Sequence, residues 1–149
     1  MNYKSTISTI IPLIFVCLFL YTGVSKLSHT TIFKEALSEN TWLAPLAGII
    51  AFLIPKLEIA TVIFLLVPHL RLLGLYMSLF MMIIFTIYIA YLLLFSTDVP
   101  CSCGGIITNL TIKQHLYLNI SLCILARIGI SLNKRINRDK PLRLKALMG

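Results

Sequence analysis

Residues 72–95 carry no charge at all. A helix needs roughly 20 apolar residues to cross the hydrocarbon layer of a bilayer. Inside that layer each backbone N–H and C=O must find its partner within the protein, which a helix achieves along a single segment. A spanning helix is therefore the expectation for this stretch, and the rest of the chain agrees. Of its 149 residues 58% are hydrophobic and 12% charged, with a mean hydropathy of +0.94, whereas soluble domains have about a quarter of their residues charged. Four crossings would use roughly 80 positions and leave little for a soluble domain.

Three more apolar runs supply the other crossings. Residues 7–22 are interrupted only by Ser8, Thr9 and Pro12. Lys4 ahead of a short apolar region is also how a secretory signal peptide begins. No small-residue cleavage site follows, however, and Cys17 is preceded by Ile14, Phe15 and Val16 rather than by the small residues lipid attachment wants, so a retained helix is expected. Residues 44–67 form the second run, with Pro55, Lys56 and Glu58 near its middle; Pro68, His69 and Arg71 make a tight polar connection to the third, 72–95. Thr111 and Gln114 stand in capping-box spacing, which satisfies two amides at a helix start, and announce a fourth run over 111–132. Between the first two runs, residues 23–41 are polar and mixed but carry Phe33, Ala36 and Leu37 at helical spacing, as a short interfacial helix would. The expected fold is all-α: an integral membrane four-helix bundle in one domain, residues 1–149, with a basic tail over 133–149.

The net charge of +8 belongs largely to that tail, which holds Lys134, Arg135, Arg138, Lys140, Arg143 and Lys145. Beside a membrane segment such a cluster reads as a topology signal and an anchor on anionic lipid. It has no aromatic residue to stack on bases, so membrane lipid rather than nucleic acid is the expected partner. With both termini in the cytoplasm, Lys4, Arg71 and the tail gather on that side, against Lys26, Lys34 and Lys113 opposite. Arg127 is near enough to the cytoplasmic end to snorkel to water. The expected location is the inner (cytoplasmic) membrane, with residues 23–41 and the segment around Cys101 facing the periplasm in a bacterium with two membranes.

Four cysteines are present. Cys17 and Cys123 fall inside apolar helices, where a thiol packs as a small hydrophobe. Cys101 and Cys103 share a predicted loop on the side where disulfides form and persist. One residue between two cysteines closes a ring too small for relaxed disulfide geometry, and strain makes such a bond labile. Pro100 stiffens the chain before the pair, and Gly104 and Gly105 let the backbone turn sharply after it. Thiol–disulfide exchange, a static disulfide and a metal site are the three readings. The metal reading would add His115 as a third ligand, one short of a closed zinc site but enough for copper(I).

Lys56 and Glu58 lie about 200° apart around a helix, so each needs a partner elsewhere. Lys26 or His115 reaches Glu58 if the helices bundle closely, giving an intramembrane polar cluster beneath the cysteine loop. Such a cluster either fixes helix packing or handles protons or a quinone.

Four segments taken together resemble the MauE group of the DoxX-like membrane proteins: residues 21–27 (Tyr-Thr-Gly-Val-Ser-Lys-Leu), 55–58 (Pro-Lys-Leu-Glu), 71–76 (Arg-Leu-Leu-Gly-Leu-Tyr) and 100–105 (Pro-Cys-Ser-Cys-Gly-Gly). The similarity covers about residues 7–131. Gly-x-x-Lys-Leu is shared with DoxX proteins generally, and the CxCxG-type loop is what points to MauE. Gly104 departs from the bulky residue common there. The resemblance implies a four-helix membrane protein of redox maturation, in which Cys101 and Cys103 are the redox pair. Its partner would be a thioredoxin-like periplasmic protein similar to MauD, which serves disulfide formation in a methylamine dehydrogenase subunit. Gly23, Lys26 and Glu58 match family positions. The expected activity is disulfide exchange with electrons passing to a membrane quinone; the rivals are a scaffold or assembly factor whose cysteine pair ties down a loop and, as a third class, a metal-handling or transport subunit.

Overall fold

A computed structural model describes residues 3–39, 42–95 and 112–148. Among the described residues there is no strand. Helix α1 is Tyr3–Ser28 and α2 is Thr30–Ser38; a 3-10 turn, Ala44–Leu46, leads into α3, Ala47–Leu66; α4 is Arg71–Phe95 and α5 is Ile112–Met148. Helices α1, α3, α4 and α5 are each long and apolar enough to cross a membrane, so the chain is a multi-pass membrane protein. They close into a ring, α1 against α3, α3 against α4, α4 against α5 and α5 back against α1, with little contact between α1 and α4 across the middle.

Spacing decides which side chains face inward. On α1, Ile11, Phe15 and Phe19 recur every fourth residue and are buried; on α3, Ala47, Ala51, Pro55, Glu58, Val62 and Leu65 follow at steps of three and four and are buried too. Residues so spaced share one face of a helix. Leu75, Met81 and Met82 of α4 and Ala126 and Ile130 of α5 complete the core. The outer faces are apolar as well: Phe52 is 62% exposed, and Phe80 and Ile87 are each 64% exposed. In water such a surface would aggregate, whereas against lipid tails it costs nothing, and association rests on close packing. Ser78 and Thr61 are buried, but their hydroxyls donate to the carbonyls of Gly74 (2.8 Å) and Leu57 (2.7 Å), so neither is left unsatisfied.

The interfacial helix is present as α2, whose Leu37 packs with Ala47 and Ala51 of α3, flanked by Phe33, Leu43 and Ile50. Three expectations need correction. First, α1 does not stop near residue 22 but continues to Ser28, because Lys26, counted above with the outward charges beyond the first span, lies on the inward face of the helix and is only 8% exposed. It therefore drops out of the count of loop charges. Second, α5 runs through the basic tail to Met148 rather than ending near 132. Third, Cys17 faces outward. It follows Phe15 by two residues, about 200° around the helix, and so belongs to the lipid side rather than the core. Cys123 is half-buried, its sulfur 3.8 Å from the Thr86 hydroxyl, in keeping with packing.

Candidate functional site

At the heart of the bundle Lys26 of α1 meets Glu58 of α3, Nζ donating to Oε1 at 2.5 Å. Glu58 is wholly buried. Two local features bring these helices together. Gly23 sits one turn before Lys26, and a Cβ there would lie 3.1 Å from Ile59 Cδ1 and 3.3 Å from Glu58 Cβ, so only a residue without a side chain lets the backbones approach this closely without displacement. Pro55 sits three residues before Glu58 within α3. Having no N–H, it cannot donate to the carbonyl four residues earlier, that of Ala51.

The ammonium also lies 4.8 Å from the ring centroid of Phe85 and 5.4 Å from that of Phe33, within the range over which aromatic faces attract a cation. The carboxylate is less well served. Its second oxygen, Oε2, is buried without a hydrogen-bond partner. Thr22 stands beside it, but that hydroxyl donates, at 3.5 Å, to the Phe19 carbonyl. A buried carboxylate oxygen with no donor is uncommon and calls for an explanation.

The pair borders a cavity of about 570 Å³, within the size range of small-molecule sites. Its walls are almost wholly apolar, and besides the pair its polar groups are Thr22 of α1, His115 and Asn119 near the start of α5 and the tyrosines Tyr88 and Tyr91 late in α4. The cavity thus occupies the end of the bundle where the connection between α4 and α5 begins and ends. Trp42 and Phe33 border it from the segment between α1 and α3.

The predicted cluster of Lys26, Glu58 and His115 is therefore brought together around one cavity, with Lys26 rather than His115 as the direct partner of Glu58. Lys56 is not part of it. It is exposed on the opposite side of α3, with Nζ 3.4 Å from the ring centroid of Phe52. Lys56→Met is accordingly expected to leave the thermal unfolding midpoint of the purified protein nearly unchanged, since an exposed side chain away from such features contributes little. Pro100, Cys101, Cys103, Gly104, Gly105 and the capping residue Thr111 lie outside the described residues. The cavity, Phe85 and the tyrosines went unread in the sequence, although Lys26 continues the four-residue stripe of Ile11, Phe15, Phe19 and Gly23, and that continuation was the available signal.

A family model described as Methylamine utilisation protein MauE matches residues 4–132, which include the first three spans, most of the fourth and the two-cysteine segment. The chain belongs to the MauE family. No curated protein and no solved structure matches it. Gly23, Lys26 and Glu58, the positions for which the resemblance offered no clear role, are in this MauE-family chain the residues that join α1 to α3.

Proposed function

We propose that this protein is a membrane thiol–disulfide oxidoreductase that exchanges a disulfide, through Cys101 and Cys103, with a thioredoxin-like protein outside the cytoplasmic membrane, in support of the maturation of exported proteins. The observation that carries the reading is the Cys-Ser-Cys-Gly-Gly sequence in the connection between α4 and α5. Cys17 and Cys123, by contrast, sit on separate helices, one facing outward and one half-buried. Membership of the MauE family supports the reading, as does a cavity with a buried ion pair at the end of the bundle from which the connection departs.

In the exchange, a thiolate of the partner attacks one sulfur of the Cys101–Cys103 disulfide and forms a mixed disulfide, with the other sulfur leaving as a thiolate. The partner's second thiolate then resolves the bond. The partner leaves oxidised, and Cys101 and Cys103 are left reduced with two electrons and two protons to pass on.

Trapping tests this. In a Cys17→Ser, Cys123→Ser background, Cys103→Ser or Cys101→Ser is expected to give a disulfide-linked adduct with a thioredoxin-fold protein on a non-reducing gel, lost on reduction. If neither single-cysteine variant yields an adduct, the pair does not exchange, and a scaffold tied by a static bond becomes the better account. A membrane-impermeant thiol reagent is expected to label the reduced pair from outside the cell; labelling from the cytoplasmic side alone would reverse the orientation.

A further inference from the structure

The cavity offers a particular chemistry. It is lined mostly by apolar and aromatic side chains, and its polar groups include the Lys26 ammonium, a half-buried imidazole at His115, an amide at Asn119 and the hydroxyls of Thr22, Tyr88 and Tyr91. An ammonium has three N–H donors, and one of those on Lys26 goes to Glu58 Oε1. Behind it, Glu58 Oε2 waits without a donor. A lipid acyl chain could fill the apolar volume but would answer none of these groups. A charged solute would answer Lys26 but would lose its hydration among apolar walls.

We infer that this cavity binds the head group of a lipid-soluble quinone, with Lys26 as the donor to a quinone oxygen and Glu58 as the positioning residue that holds the ammonium in place. A quinone head is flat, apolar on both faces and carries carbonyl acceptors at its edge, which suits aromatic walls and an N–H donor. Its tail is apolar and follows the cavity outward into lipid. His115 and Asn119, on α5, give the edge further polar contacts.

The electrons balance with the exchange described above. A dithiol closing to a disulfide releases two electrons and two protons, and a quinone takes up both to become a hydroquinone. The inference rests on the exchange reading only for this source of electrons; the site itself stands without it.

Trp42 is the one tryptophan in the chain and borders the cavity, so its fluorescence reports occupancy. The protein in phosphatidylcholine nanodiscs is titrated with decyl-benzoquinone, and saturable quenching is expected. The dimethyl ether of the corresponding hydroquinone, equally apolar but without carbonyl acceptors, is expected to compete poorly. His115→Ala is expected to raise the half-saturating concentration several-fold, and Lys26→Met with Glu58→Met to raise it about tenfold, the scale of a lost hydrogen bond to a charged group. His115→Ala keeps the test decisive if the double variant does not fold. Quenching that rises linearly without saturating, or a half-saturation indifferent to His115→Ala, would overturn the site. So would equal competition by the dimethyl ether, which would leave a lipid-tail pocket only. Cys101→Ser with Cys103→Ser is expected to bind the probe unchanged, so failure of trapping with retained binding counts against the exchange alone, and the reverse against the quinone site alone.

Discussion

Glu58→Ala is expected to destabilise the bundle by about 3–5 kcal/mol, the scale on which removing one partner of a buried ion pair leaves the other charge uncompensated. Lys26 would remain only 8% exposed, between two aromatic rings and without its carboxylate. The expected pattern across variants is more informative than the single value. Lys26→Met alone should also be costly, because it strands a carboxylate that already lacks a donor for one oxygen. Lys26→Met combined with Glu58→Met should recover much of the loss, since replacing both partners with apolar residues of similar size is often neutral or stabilising. Denaturant titration of the detergent-solubilised protein, followed by helical circular dichroism, measures all three. Equal and additive losses across the cycle would show that the two residues do not act as a pair.

The second large effect is expected at Gly74. A Cβ there would meet the backbone nitrogen of Leu65 at 2.8 Å and the Leu65 side chain at 2.9 Å, where α3 ends and α4 has just begun after a tight turn. Backbone cannot move aside as a side-chain tip can, so Gly74→Ala should push the two helices apart and cost about 1–3 kcal/mol, the usual scale of overpacking. The gain of about 1 kcal/mol that alanine brings over glycine within a helix offsets this only in part. Gly23→Ala provides the contrast, because its contacts are longer: the terminal methyl of Ile59 at 3.1 Å, which can swing away, and Glu58 Cβ at 3.3 Å, which needs to give by only a few tenths of an ångström. There the helix-propensity gain is comparable to the strain, and the unfolding midpoint should move far less than for Gly74→Ala. A larger shift at Gly23 than at Gly74 would contradict this reading of the two contacts.

Much of this architecture was legible from the residues. The apolar runs are long, and the bilayer fixes how long a crossing must be, so the number of spans and the all-helical class followed directly. The amphipathic spacing of Phe33, Ala36 and Leu37 gave α2. The opposition of Lys56 and Glu58 followed from the helical repeat alone, and the structure has them on opposite sides of α3. The end of α1 was misread because residues 23–41 are polar and mixed, and the first apolar run was taken to end where they begin, ahead of Lys26. A lysine ends a span only where no partner awaits it, and its partner lies 32 positions along the chain, a relationship no local pattern contains. Cys17 was misassigned for a related reason: in a membrane helix both faces are apolar, so hydrophobicity no longer separates inside from outside, and only the stripe through Phe15 and Phe19 did. The cavity arises from the placement of four helices, and no segment announces it.

The two parts of the bundle are built differently. Phe15, Phe19 and Leu75 are fully enclosed, with Leu65 at 1%, and Phe19 also borders the cavity. One ring is therefore at once part of the packed core and part of the hollow's wall, so a change at Phe19 that reshapes the hollow is felt in the packing of the helices as well.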